Sequence, residues 1–159
     1  MNQPISIETI NEAMKGMGTA EMARSNRIRV TTGPETIHEA LTVIMGSLGC
    51  DRLITISTAD NGTAFELFYH LTGPHRTIIS LGTKLSREMP KIASVSDILL
   101  SAGIYERQIH DLFGIEFLGH PGLKRIILNE DWPADEFPLR KDWKRGPDTF
   151  YGGIKEEKI

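Results

Sequence analysis

Apolar positions along this chain change period several times, and each change marks an element. From Ser6 to about Lys15 the residues Ile7, Ile10, Met14 and Met17 fall near helical spacing, and Gly16 and Gly18 end the run. "RIRVTT" then alternates, Ile28 and Val30 against Arg27 and Arg29, as a half-buried strand does. A clearer helix follows: Thr32 and Glu35 stand at capping-box spacing, Pro34 suits a first turn, and Gly49 suits the far end. Between them Ile37, Ala40, Leu41, Ile44, Met45 and Leu48 make one apolar stripe.

"RLITIST" reads as a second strand, and Asn61-Gly62 in "ADNG" suits a type I′ hairpin turn. "TAFELFYHL" puts Phe65, Leu67, Tyr69 and Leu71 on one face, and Gly73-Pro74 leads into a fourth strand, "TIISLGT". The pattern predicts an α/β (α+β) domain: a mixed four-stranded sheet with flanking helices. If the first two strands are parallel neighbours, their crossover should be right-handed. Ser94 with Asp97 predicts a capped helix over "SVSDILLSA", and after Gly103 a second helix takes up "IYERQIHDLF". On that helix Tyr105, Ile109, Leu112 and Phe113 share a face, with Glu106, Arg107 and His110 pointing elsewhere. Gly114 caps it, "IEF" forms a short extended piece, and "GHPG" is a turn in which Gly122 meets a type II requirement.

Periodicity stops near Asn129. The run 129–159 nevertheless holds Trp132, Phe137, Trp143, Phe150 and Tyr151, five of the eleven aromatic residues. Disordered tails are poor in aromatics. A buried Trp removes ~150–250 Å² from water, roughly 4–6 kcal/mol before ordering costs. We therefore expect a domain over 1–128 and an extended C-terminal arm over 129–159 whose order comes from a partner.

Composition narrows the chemistry. At 159 residues, 40% hydrophobic and 25% charged, with a net charge of −3, the chain fits one domain with no general affinity for nucleic acid or anionic membranes. Its start, "MNQPISIETINEAM", lacks the pattern of a secretory leader, and no apolar run approaches membrane-spanning length. Cys50 is the sole cysteine, too few for an internal disulfide or an iron–sulfur cluster held by this chain alone. No GxGxxG or Walker sequence offers a phosphate cradle.

Charge concentrates in "ERQIHDLFGIEFLGHPGLKR", where eight of twenty residues are ionisable: Glu106, Arg107, His110, Asp111, Glu116, His120, Lys124 and Arg125. Three readings compete. Glu106 and His110, four apart on a helix, could be an acid–base pair, but no nucleophile or anion hole accompanies them. His110, His120, Glu130 and Asp131 could ligate a metal, though neither HExxH nor a cysteine pair is present; His70 and His75 lack a second ligand at metal spacing. The preferred reading is a rigid corner whose partnered charges fix the direction in which the chain leaves the domain. A further class, nucleic-acid binding through "LRKDWKR", is opposed by Asp131, Asp135, Glu136 and Asp148 nearby.

The stretch "YERQIHDLFGIEFLGHPGLKRIILNEDW", followed by "PLRKDW", resembles the signature of the 30-kDa (C) subunit of complex I, the respiratory NADH:quinone oxidoreductase, and of its relatives in membrane-bound energy-converting [NiFe] hydrogenases. That family reads Glu-Arg-Glu, Asp-x-Phe-Gly-Ile, Gly-His-Pro-Asp-Leu-Arg-Arg and later Pro-Leu-Arg-Lys-Asp. The likeness is dense from Ser94 to Trp143. Here Gln108 replaces the second Glu, His110 an aromatic or apolar residue, and Gly122 the Asp. The spacing "PADEF" looks more like the hydrogenase and formate hydrogenlyase branch, and relatives fed by reduced coenzyme F420 share the frame.

The resemblance implies a non-catalytic subunit in the hydrophilic arm of a membrane-bound redox complex. It implies no catalytic, cofactor or metal residue on this chain, with Fe–S clusters and Ni–Fe or quinone on partner subunits. Its partners would be the large subunit and the small Fe–S subunit, reached on the cytoplasmic side of the membrane, which the chain meets only through the assembled complex. Glu106, Arg107 and Asp111 would brace the corner. Gly114, Gly119, His120 and Pro121 would stop and turn the chain, and Arg125, Asp131, Trp132, Pro138, Leu139, Arg140, Lys141, Asp142 and Trp143 would carry the contacts.

Overall fold

Strict alternation at Arg27–Thr32 and Ala64–Thr72 drives one face of each strand into a core and leaves the other to water. The computed structural model of the chain describes residues 5–145. Five strands form a mixed sheet: β1 (Gly18–Arg24), β2 (Arg27–Thr32), β3 (Arg52–Asp60), β4 (Ala64–Thr72) and β5 (Ile78–Ser86), in the order β1-β2-β5-β4-β3. Ile28, Val30, Phe65, Leu67, Tyr69, Leu71, Ile79 and Leu81 line the inner face. They join Ile10 and Met14 of α1 (Ile7–Met14) and Ile37, Ala40, Leu41, Ile44 and Leu48 of α2 (Ile37–Leu48) in one core. Ser6 caps α1 through its side chain, and Gly49, at φ +65°, closes α2.

The sheet has one strand more than the pattern predicts. The segment read as the end of the first helix turns at Lys15 and Gly16 and becomes β1, antiparallel to β2. As an edge strand it shows no sharp alternation, its residues being exposed or half-buried, so periodicity could not find it. The parallel partner of β2 is β5, not β3, which lies at the far edge. The hairpin turn also sits one residue on: Gly62 takes a positive φ of 95°, Asn61 does not, and Asn61 N–H donates to the Ala64 carbonyl.

Two capping boxes expected from the sequence are absent. Thr32 Oγ1 donates to the Met17 carbonyl, and Pro34–Thr36 is a short 3-10 turn before α2. Residues 96–101 form turns, not a helix: Asp97 binds His38 Nε2 at 2.9 Å, and the Ser94 hydroxyl turns inward. The helix after them is α3 (Ala102–Phe113), which lies against β3. Beside it β6 (Lys91–Ala93) and β7 (Glu116–Leu118) form a parallel pair of their own. From Gly119 to Arg145 the described chain is a succession of turns.

Candidate functional site

Helix α3 carries two buried carboxylates, Glu106 at 0% exposure and Asp111 at 4%. A carboxylate enters a core only with partners that replace water. Glu106 has them in the loop before its own helix: Ser94 Oγ donates to Oε2 at 2.6 Å and Val95 N–H to Oε1 at 2.8 Å. His120 approaches Oε2 at 4.0 Å. The Gly122 N–H donates to His120 Nδ1 at 2.9 Å, so that nitrogen carries no proton and Nε2 donates to the Gly103 carbonyl at 3.0 Å. His120 thus links the turn to the start of α3. Burial pushes the Glu106 carboxyl above its ordinary range, against the Ser94 and Val95 hydrogen bonds. Burial and the nearby Glu106 charge together raise the Tyr69 phenol well above its usual value.

Asp111 serves the chain that follows. Its Oδ2 accepts three consecutive backbone N–H groups, Ile126 at 3.1 Å and Ile127 and Leu128 at 2.8 Å each. Arg125 Nε stands 3.9 Å from Oδ1. Burial alone would raise this carboxyl, but the N–H groups of Leu128, Ile127 and Ile126, aided by Arg125, hold it below the usual range. Arg107 grips the same segment from the other side, donating to the Lys124 carbonyl at 3.0 Å and to that of Arg125 at 2.9 Å. Arg125 in turn donates to the carbonyls of Asn129 (3.1 Å), Trp132 and Pro133 (3.1 Å). Two arginines and one aspartate therefore satisfy carbonyls of residues 124, 125, 129, 132 and 133 and N–H groups of 126–128, where no ladder exists to do so.

A second fastening lies further on. Gly114 has φ +71°, and a Cβ there would meet the Phe137 ring at 2.5 Å and Arg140 Nη2 at 2.8 Å. Only glycine satisfies both demands. Arg140 donates to the Phe113 carbonyl at 2.7 Å and lies over the rings of Phe137 (4.5 Å) and Phe65 (5.2 Å). Leu139 N–H reaches the Leu112 carbonyl at 3.2 Å, Lys141 N–H reaches Asp60 Oδ2 at 2.8 Å, and Arg87 bridges Asp60 (3.1 Å) and Asp142 (2.6 Å). Trp132 and Trp143 stack at 5.9 Å, with both indole N–H groups on Glu136. We expect Gly114→Ala to displace Phe137 and cost about 2 kcal/mol, from left-handed strain plus the lost contact. Thermal melts and proteolysis between residues 130 and 145 would register it.

Several expectations from the sequence change here. Glu106 does not point away from the apolar face of α3; it is the most buried charged group among the described residues, because its partners come from Ser94 and Val95, eleven or twelve positions back. Glu106 and His110 are not brought together, since His110 Nδ1 donates to the Ile115 carbonyl at 2.9 Å. The positive φ of the "GHPG" turn falls on Gly119 (+83°), and Gly122 instead supplies its N–H to His120. Arg140 is committed internally, and Asp60 and Asp142 face the basic run, which weakens it as a nucleic-acid patch. Asp131 and Lys141 are exposed, Pro121 is an exposed turn residue, and Trp132, Pro138 and Trp143 are half-buried. Phe150, Tyr151 and the rest of the arm past Arg145 lie outside the described residues. Sequence reasoning misses Asp60 and Arg87. Asp60 reads locally as part of a hairpin signal, although an Asp before Asn-Gly can equally serve distant backbone.

The braced corner coincides with the signature stretch, and comparison with known proteins bears on the same residues. Residues 30–149 match the family model described as the respiratory-chain NADH dehydrogenase 30-kDa subunit. The chain belongs to that family. It is a subunit of the complex-I-like kind found in respiratory or membrane-bound oxidoreductase complexes. The C subunit of the F(420)H(2) dehydrogenase of Methanosarcina mazei is 36% identical over 124 residues, covering 76% of this chain and 78% of that protein. The C subunit of the NADH-quinone oxidoreductase of Chloroherpeton thalassium is 42% identical over 81 residues, 51% of this chain and 32% of the relative. A solved structure of an archaeal membrane-bound sulfane sulfur reductase contains a chain of the same fold. Its TM-score is 0.76 at 21% identity, covering 96% of this chain and 98% of that one. Among the described residues no helix of this family member is long and apolar enough to cross a membrane.

Proposed function

We propose that the chain is a non-catalytic assembly subunit that presents residues 126–143 to the large subunit of a complex-I-like oxidoreductase. The observation that carries this reading is the Asp111 clamp: three N–H groups held on one carboxylate oxygen fix the exit of the chain, while the side chains of the clamped Ile126 and Ile127, and of Leu139 further on, stay 37%, 54% and 50% exposed. A braced backbone with exposed aliphatic side chains lowers the ordering cost of docking. The internal fastenings of Arg140, Lys141 and Asp142 make this a preformed surface, not a strap ordered wholly by its partner.

On this reading 1–128 is the folded body and 129–159 the docking arm. The small Fe–S subunit lies nearby in the assembly, and Fe–S clusters with quinone or Ni–Fe sit on partner chains. Attachment is peripheral, on the cytoplasmic face, during electron transfer coupled to ion translocation. The names of the two relatives support a dehydrogenase-type assembly over the hydrogenase-type one that the "PADEF" spacing favours.

The test uses exposed positions. Ile127→Asp with Leu139→Asp should leave the melting temperature of the isolated chain within a degree or two. Co-purification with the large subunit should fall on the order of a hundredfold, as expected for charge placed in a desolvated interface centre. Full retention of the complex would refute the docking surface.

A further inference from the structure

The outer face of the sheet holds a groove of about 520 Å³, lined among others by Arg24, Arg27, Arg29, Ile54, His70 and Ile78. Its charge is unbalanced. Arg24 and Arg27 are Cα partners across the β1–β2 turn, where like charges oppose pairing. Arg29 reaches Glu21 at 3.5 Å with both side chains more than half exposed, and Glu66, the next carboxylate on this face, is engaged by Lys84 at 3.4 Å. Among the described residues neither Arg24 nor Arg27 has an ion pair. This concentration of positive charge sits on a chain whose net charge is −3.

The rest of the groove is built to receive chain. His70 is held between Ser57 and Ser80 by contacts of 2.8 Å on each ring nitrogen. Burial, with Arg27 beside it, lowers its proton affinity, so it is neutral at pH 7 and adds a fixed polar floor without adding charge. Ile54, 45% exposed, and the half-buried Ile78 give apolar wall. Guanidinium forks match carboxylates bidentately, and the aliphatic wall beside them favours a ligand that carries apolar groups as well as charge, as a peptide segment does.

We propose that this groove docks an acidic segment of a partner subunit, an extended run with two or more carboxylates flanked by apolar side chains. The proposal rests on membership of a multi-subunit family and not on the arm, which uses other residues.

A photo-crosslinking amino acid at Thr55, within the groove, tests it in the assembled complex. An adduct to a partner subunit through an Asp/Glu-rich peptide is the expected result. The absence of any adduct to a partner, or one through a basic or uncharged peptide, overturns the proposal. Separately, the pair Arg24→Glu and Arg27→Glu should slow association of the purified chain with the remaining complex on the order of tenfold at low salt, with the gap closing as salt rises. Should that pair disturb folding, Arg24→Gln with Arg27→Gln keeps the test. Unchanged association of a folded variant overturns the proposal, as does protection of the groove by inorganic phosphate with no contact to another subunit. Ile127→Asp with Leu139→Asp leaves the groove intact, so failure of the arm and failure of the groove are read separately.

Discussion

Replacing Asp111 with Ala should lower the unfolding free energy by about 3 kcal/mol and release residues 126–128. One carboxylate oxygen there accepts three backbone N–H groups, and hydrogen bonds to a charged acceptor contribute about 1.5–3 kcal/mol each before non-additivity. Losing all three leaves donors half-buried with no acceptor. Amide exchange at Ile126, Ile127 and Leu128 should therefore quicken far more than exchange in β4 or β5. Asp111→Asn retains one carbonyl oxygen and should recover part of the loss. The pH dependence has a definite sign. Because the folded carboxyl is held below its unfolded value of about 3.9, its contribution is complete above that value and disappears as pH falls through the folded one. Urea midpoints measured across that acid range should fall in the native chain and stay flatter in Asp111→Asn. A midpoint unaltered by Asp111→Ala would remove the clamp from the account.

Replacing Glu106 with Ala should be costlier still, about 4 kcal/mol, because it strands the Val95 N–H in the core, removes the buried acceptor of the Ser94 hydroxyl and opens a void. Glu106→Gln has nearly the same shape, can accept from Val95 and can donate to Ser94. It should cost less than about 1 kcal/mol at neutral pH. Here the pH sign reverses. The folded Glu106 carboxyl is raised, so the native state holds its proton more tightly than the unfolded chain, whose value is about 4.3. Stability from this group is greatest at low pH. It declines as pH climbs from the unfolded value through the folded one, and the decline should vanish in Glu106→Gln. The two carboxylates, five positions apart on α3, thus oppose one another in acid, and only paired single variants separate them.

Local features of this fold are legible in the chain itself. The strands from Arg27, Arg52 and Ala64, the stripe of α2 and the Gly49 and Gly114 caps follow from alternation and left-handed stops, which are local properties. Long-range partnership is not legible. Ser94 beside Asp97 satisfies a helix-start pattern, yet its hydroxyl serves a carboxylate twelve residues on, and no local rule separates those outcomes. β1 escapes because an edge strand can be exposed on both faces and then shows no period. The corner residues Arg107, Asp111 and Arg125 stand out by their density and by the resemblance. That each satisfies main-chain groups, not chiefly another side chain, emerges only from the geometry.

The parallel seam between β2 and β5 also sets an order of events during synthesis. Its register joins Arg27 to Ile78 and Thr31 to Gly82, so the middle of the sheet closes a loop of some fifty residues. The β1–β2 hairpin can form early on the ribosome and pack on α1, but the other edge of β2 has no strand to pair with until β5 has cleared the exit tunnel. Closing so distant a pair is slow. Until then the core has no central strands to cover it, and exposed apolar surface of that kind is prone to aggregation. The Asp111 corner, which joins residues 15 to 17 positions apart, is a local closure that comes later in the chain.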